Sequence, residues 1–301
     1  MPAKTLIVIV GPTAIGKTAQ SVSIAKTVDC SIVSADSRQF YIEMAIGTAK
    51  PTADEMQGVT HYFINSHSIT DEYNVGKYET ETIALLEKLF QTNNVIILVG
   101  GSGLYIDAVC NGFDELPVAE EKIRTRINLL LKTEGIEALQ KLLKELDFNY
   151  YNKVDLQNPQ RLSRALEVCL TTGKPYSELR SGKIKKRNFN TIKIGLTTSR
   201  EILYDRINHR VDEMMTKGLL NEVKSLQEYK HLNSLQTVGY RELFDYLENK
   251  SELKQAIELI KQNTRRFAKR QLTWFNRDKE IKWFEPDQLE EIMAYINQSL
   301  S

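Results

Sequence analysis

Cysteine is scarce in this chain of 301 residues: Cys30, Cys110 and Cys169 are far apart and form no C-x-x-C pair. That argues against a disulfide framework and against a zinc module, and favours a reducing compartment. His61, His67, His209 and His231 also lack metal-ligand spacing and read as surface or hydrogen-bonded histidines. No apolar run approaches the roughly 20 residues of a membrane span. The short run near the N-terminus reads as a buried strand rather than a signal peptide. A cytoplasmic protein without a membrane partner is the expectation. Neither sign of charge is in excess, with 40 Lys and Arg against 39 Asp and Glu. The overall balance therefore names no partner, and any nucleic-acid reading depends on where the charge sits. What is present is ordinary globular material, 42% hydrophobic and 26% charged, enough for one large domain or two smaller ones.

Apolar runs bounded by turn residues mark strands at Leu6–Val10, Ser31–Ser34, Val95–Val99 and Ile192–Leu196, with His61–Ile64 as a weaker fifth. They are continuous rather than alternating, as strands buried on both faces of a parallel sheet are. Helical patterns at Thr18–Val28 and Lys77–Gln91 lie between them, which implies right-handed βαβ units. From about Leu116 to Lys186 the alternation stops. Ala119–Thr133, Gly135–Leu146 and Pro159–Thr172 repeat apolar residues at three- and four-residue spacing, and Gly173-Lys174-Pro175 ends the last. The predicted class is α/β: a P-loop NTPase-like parallel sheet flanked by helices, with an inserted all-helical domain. Residues 1–115 and 187–301 form the core, and 116–186 the insert. Past Arg200 the pattern is helical again, at Glu201–Lys217, Leu219–Glu228, Gly239–Leu247 and Ser251–Phe275.

The strongest motif is Gly11-Pro12-Thr13-Ala14-Ile15-Gly16-Lys17-Thr18, a G-x-x-x-x-G-K-T loop placed between a strand and a helix. Its glycines let backbone N–H groups face an anion. The helix N-terminus adds its dipole, Lys17 a point charge and Thr18 a hydroxyl suited to Mg²⁺. An ATPase would place a metal-binding Asp at the end of a second apolar strand. Val95–Val99 instead runs into Gly100-Gly101-Ser102-Gly103. That turn suits close backbone approach to a ligand, with Ser102 at its mouth, or simply a tight turn that needs glycine. Asp36 does follow a strand end. It reads as a displaced Mg²⁺ ligand, as a general base, or as a turn or N-cap aspartate.

Basic residues cluster twice. Lys261, Arg265, Arg266, Lys269, Arg270, Arg277 and Lys279 meet only one acid, Asp278, and form a stripe on a helix followed by Gln271, Trp274 and Phe275. Arg180, Lys183, Lys185, Lys186, Arg187 and Lys193 form a second patch with none. Such concentration in a neutral chain points to a polyanion, with the aromatics suited to stacking on bases or to the core. Arg206 and Arg210, four residues apart on a helix, are within reach of the phosphate loop or pair with Asp205 and Glu213.

Together "GPTAIGKT", "SADSRQFYIEMAIGTAKP", "LVGGSGLY", "NPQRLSRALEV", "VGYREL" and "TRRFAKRQLTWF", in this order, resemble the bacterial tRNA dimethylallyltransferases, or tRNA isopentenyltransferases. The resemblance implies transfer of the dimethylallyl group of dimethylallyl diphosphate to N6 of adenine 37, just 3′ of the anticodon. The acceptors implied are tRNAs reading codons that start with U, and the products N6-isopentenyladenosine and diphosphate. It implies that Gly16, Lys17 and Thr18 hold the diphosphate, with Mg²⁺ at Thr18. Asp36 would be the general base. Ser102, where members usually carry Thr, and Arg210 would flank the reacting centre. The tRNA anticodon stem-loop would meet Asp36, Ser37, Arg38, Gln39, Ser102, Arg124, Gln160, Arg161, Leu162, Ser163, Arg164, Gly239, Tyr240, Arg241, Lys269, Arg270 and Trp274. A monomer is expected, and no Cys/His cluster matches the zinc-finger extension of eukaryotic members. Rival readings are an adenylate isopentenyltransferase acting on free AMP or ADP, a P-loop kinase of a small metabolite, and a non-catalytic RNA-binding module. The insert and the basic patches favour tRNA over a free nucleotide.

Overall fold

In the computed structural model, residues 4–114, 116–117, 119–180, 182 and 184–300 are described; Lys183 of the second basic patch lies outside them. The chain divides into two compact units, Met1–Asn111 with Lys186–Ser301, and Gly112–Lys185.

The first unit is built on a six-stranded parallel sheet. Its strands are β1 (Thr5–Val10), β2 (Ile32–Ser34), β3 (His61–Tyr62), β4 (Val95–Gly100), β5 (Asn190–Leu196) and β6 (Lys282–Phe284), in the spatial order β3-β2-β4-β1-β5-β6. β1 lies between β4 and β5, with Val10 in register with Gly100 on one side and Gly195 on the other. All six of its residues are buried. Ile7, Ile9 and Ile97 feed a core on one face, and Leu6, Val8, Ile96 and Leu98 a core on the other. That division follows from the two-residue period of a strand and explains why the run is apolar throughout.

β3 is shorter than the apolar run suggested, because Phe63 and Asn65 turn to φ 59° and 54° and leave the extended region. β6 was not anticipated. Its three residues are too few to show a period, and it exists because Ile194–Leu196 offers an edge to pair with. The helices Gly103–Asn111 and Leu289–Leu300 were also missed. The helix expected at Leu219–Glu228 stops at Ser225 and gives way to a 3₁₀ turn at Gln227–Tyr229. Helices Arg200–Thr216, Leu219–Ser225, Tyr240–Leu247 and Leu253–Phe275 bury a third core around Val211, Leu219, Tyr240, Leu243 and Ile260.

In the second unit, helices Glu121–Glu134, Ile136–Leu146 and Pro159–Thr172 pack around Ile127, Leu139, Leu143, Leu162 and Leu166. Pro159 occupies the first turn of its helix, where a missing N–H costs nothing, and the Asn158 side chain accepts the Arg161 N–H. Gly173 ends that helix at φ 68°, donating its N–H to Cys169 O at 2.8 Å. Among the described residues no helix is long and apolar enough to cross a membrane.

Candidate active site

The carboxyl ends of β1, β2 and β4 carry the loops that form the site, as expected where ligands meet an open parallel sheet. The loop after β1 turns at Gly11, φ 151°; a Cβ there would stand 2.7 Å from the Leu196 carbonyl oxygen. Ala14 at φ 63° and Gly16 at φ 102° complete the bend into the helix Lys17–Val28, whose N-cap is Gly16. Lys17 Nζ folds back to donate to the carbonyls of Gly11 at 3.0 Å and Pro12 at 2.8 Å, which braces the loop. Burial pulls the Lys17 ammonium down to about 8, against the attraction of Asp36; Arg210 lowers it further.

Lys17 shares a cleft of about 750 Å³ with Thr13, Thr18, Asp36, Gln39, Arg206 and Arg210. Arg210 Nη1 and Nη2 donate weakly to Thr13 Oγ1 and Ala49 O, both at 3.4 Å, and Arg206 Nη1 reaches Ile15 O at 3.4 Å. Burial lowers the Arg210 guanidinium below its ordinary value, with Asp36 the leading opposing influence. Lys17, Arg206 and Arg210 thus share with Asp36, and with Glu55 and Glu213 beyond it, the cleft of a loop built for an anion.

Asp36 sits in a turn in which its Oδ1 accepts the Arg38 N–H at 3.0 Å. The next residue ties this turn to the one after β4, since Ser37 N–H donates to Ser102 Oγ at 3.0 Å and Ser102 donates to Ser37 Oγ at 3.1 Å. β4 approaches β2 closely at this end: a Cβ on Gly100 would lie 2.4 Å from Ala35 O. Gln39 donates from Nε2 to Thr48 O and Ala49 O, holding the far wall of the cleft.

Two side chains expected at an RNA surface lie in the interior. Tyr240 is buried and donates its hydroxyl to Glu222 Oε1 at 2.6 Å; burial and that carboxylate hold the phenol above its ordinary value, so it remains a donor. Leu162 belongs to the apolar centre of the second unit. Gly239 adopts φ 95° and donates its N–H to Glu242, while Arg241 is exposed. Gln160 and Arg161 are exposed at the start of their helix, with Ser163 and Arg164 half-buried behind them. Arg124 and Arg164 both pair with Glu167, at 3.4 and 3.5 Å. Trp274 is half-buried: its Nε1 donates to Asp107 at 3.0 Å, and its ring fills the space a Cβ on Gly103 would need.

The basic clusters are less free than their sequence suggests. Arg187 pairs with Glu79 at 2.7 Å and donates to the Ala108 and Val109 carbonyls. Lys193 pairs with Asp278 and Glu280, and Arg180 packs over the Tyr150 and Tyr176 rings. Arg187 and Lys193 of the second patch are therefore engaged within the protein, while Arg180 and Lys186 are exposed. On the helix Leu253–Phe275, Lys261 pairs with Asp212 and Arg265 donates to Asn208 at 2.6 Å. Arg266, Lys269 and Arg270 remain exposed beside Phe267.

The spacing did not single out Glu222 or Gln271 as site residues. Glu222 accepts the N–H groups of Ala45, Ile46 and Gly47 at 2.7 to 3.0 Å, and so anchors the loop that lines the cleft. Nothing local could have revealed it, since those partners lie 175 to 177 residues away.

Fold and site together define a P-loop α/β protein whose loop shares its cleft with Asp36, the residue before a turn tied to Ser102. The family model of the IPP transferases matches residues 39–278. The phosphate loop and Asp36 precede that match and fall within full-length relatives. The tRNA dimethylallyltransferase 1 of Bacteroides fragilis is 49% identical over 300 residues, covering 100% of both chains. The tRNA dimethylallyltransferase of Flavobacterium johnsoniae is 52% identical over 304 residues, 99% of this chain and 98% of that one. Among solved structures, the tRNA isopentenylpyrophosphate transferase of Bacillus halodurans superposes with a TM-score of 0.74 at 37% identity, covering 99% of this chain and 97% of that one. A eukaryotic dimethylallyltransferase acting on tRNA gives a TM-score of 0.80 at 27% identity, over 99% of this chain and 77% of that one. The chain belongs to the IPP transferase family.

Proposed function

We propose that this chain is a tRNA dimethylallyltransferase, moving the dimethylallyl group of dimethylallyl diphosphate to N6 of the adenine 3′ of the anticodon, in tRNAs reading codons that start with U. The observation that carries this reading is the single cleft in which a phosphate loop, Lys17 and Arg210 face Asp36. A diphosphate bound there is the part of the donor that departs.

The exocyclic amine of adenine is a weak nucleophile and needs a positioned proton acceptor, the role assigned to Asp36. The bond from N6 to the allylic carbon forms as the bond from that carbon to the diphosphate oxygen breaks. Asp36 takes the amine proton. Lys17 and Arg210 neutralise the charge that grows on the departing diphosphate, and their burial strengthens the effect. The adenine has to leave the anticodon-loop stack to reach this cleft. Ser102 holds the Ser37 turn, and with it the Asp36 carboxylate, in place.

Mg²⁺ fits the donor set. Among the described residues no group of three or more His, Cys, Asp or Glu side chains stands ready to hold a metal, whereas the Thr18 hydroxyl lines the cleft. A hard cation held by one hydroxyl, diphosphate oxygens and water is the arrangement Mg²⁺ favours. When bound there, it would supply further charge neutralisation to the leaving group. Arg124, Gln160, Arg161 and Arg164 of the second unit, and Arg241, Arg266, Lys269 and Arg270 of the first, would meet the tRNA. Monomeric state and a cytoplasmic location belong to the same proposal.

The test is transfer of label from dimethylallyl diphosphate to unmodified tRNA. Label appearing in free AMP instead would replace the acceptor, and phosphoryl transfer from ATP would replace the reaction.

A further inference from the structure

The donor cradle and the acceptor-side turn come from different strands, and one side chain joins them. Gln271 Oε1 accepts the Thr13 N–H of the phosphate loop at 2.9 Å, and its Nε2 donates to Gly101 O at 2.9 Å. The partners are 258 and 170 residues away in sequence. Gln271 is only 6% exposed, so neither bond competes freely with water. A Cβ on residue 101 would stand 2.2 Å from Gln271 Nε2, so a larger residue there would push the amide out of this position.

The connection continues. Gly101 precedes Ser102, and Ser102 is bonded to Ser37, the residue after Asp36. A continuous path of hydrogen bonds and single peptide steps therefore runs from the loop at Thr13 through Gln271, Gly101, Ser102 and Ser37 to Asp36. Its first link demands a side chain that accepts on one atom and donates from another at matched reach. A primary amide does both while neutral; an ionised carboxylate cannot donate and an ammonium cannot accept. Gln271 also sits on the helix that presents Lys269 and Arg270 to solvent.

We propose that Gln271 is a positioning residue for the transfer. By bracing the phosphate loop against the Gly101 turn, it sets the separation between the diphosphate cradle and the Asp36–Ser102 pair. This rests on the transferase reading. It acts without touching the reacting atoms, through the loop and the turn. Its loss should appear in turnover more than in affinity for tRNA, because small displacements of reacting groups cost rates steeply.

Gln271→Met keeps the length of the side chain and removes both bonds. The expected result is turnover at saturating substrates lowered about 100-fold, with tRNA affinity within about twofold of the wild type. Inorganic diphosphate affinity, measured by calorimetry without any acceptor, should fall about tenfold, the worth of one lost hydrogen bond. Gln271→Glu supplies a reading that a merely structural role would not move. Its protonated form accepts and donates as the amide does, so its turnover relative to wild type should rise as pH falls from about 8 to about 6, the range into which burial moves such a carboxyl. Turnover of Gln271→Met within about threefold of wild type would overturn the proposal, being far short of the roughly 100-fold loss expected. If that variant does not fold, a flat ratio of Gln271→Glu to wild type across pH would overturn it instead. Failure of the wild type to label tRNA would count against the transferase reading alone. Gln271 would then be judged on diphosphate affinity, where an unchanged value in Gln271→Met overturns it.

Discussion

Ser102 Oγ accepts the Ser37 N–H at 3.0 Å and donates to Ser37 Oγ at 3.1 Å. Two turns, after β4 and after β2, are thereby tied beside Asp36. Ser102→Ala leaves the Ser37 N–H without its acceptor, and turnover should fall at least about tenfold, the value of one such bond. Ser102→Thr keeps the hydroxyl and should stay within about threefold of wild type. Steady-state label transfer with both variants decides whether the hydroxyl or the small size matters.

Asp36→Asn should abolish most transfer, by about 10²- to 10⁴-fold, the usual contribution of a general base. Its shape and its turn are preserved, because an amide oxygen can still accept the Arg38 N–H. Affinity for tRNA, measured by filter binding, should persist. Retained turnover would remove Asp36 from the base role.

Lys17 titrates at about 8 in the folded chain, below its ordinary 10.5, because burial penalises the ammonium more than Asp36 favours it. Between those two values the unfolded chain holds more protons than the folded one at this site. The Lys17 contribution to stability therefore rises with pH across that window, while the cost of burying the charge is full below it. Diphosphate binding runs the other way and should weaken as pH climbs past about 8. Lys17→Met should lose diphosphate affinity without a lower melting temperature. Calorimetry and thermal melts of the same samples report both.

Arg266, Lys269 and Arg270 are exposed, whereas Arg265 and Lys261 are engaged with Asn208 and Asp212. Neutralising the exposed three should weaken tRNA binding and reduce its logarithmic salt slope by about two to three. Arg187→Met, which breaks the pair with Glu79, should leave that slope unchanged. It should instead lower stability in urea unfolding, since the ion pair with Glu79 and the bonds to the Ala108 and Val109 carbonyls are lost. An unchanged slope in the triple variant would mean that its face does not meet phosphates.

Glu222 accepts from three successive backbone N–H groups and from the Tyr240 hydroxyl. Glu222→Gln turns an N–H₂ toward donors and should cost about 2–3 kcal/mol in urea unfolding, the penalty for stranded polar groups. The loop Ala45–Lys50 lines the cleft, so KM for dimethylallyl diphosphate should rise as well.

Much of this molecule is legible locally. The runs at β1 and β4, the glycine-lysine-threonine turn between strand and helix, and Pro159 after Asn158 each declare themselves, because backbone sterics and burial act over a few neighbours. The place of Asp36 at a strand end was legible for the same reason. β6 was not, since three residues carry no period and need the edge of β5 to form. Nor was the fate of charges: Arg187 and Lys193 look like a basic patch in sequence, yet they are neutralised by Glu79, Asp278 and Glu280. The sequence by itself determined the phosphate cradle and its helix. Only the tertiary structure decided which residues hold that cradle in register with Asp36. Gln271 and Glu222 act on partners 170 or more residues away, and no property of one segment encodes a hydrogen bond to another until folding brings the two together.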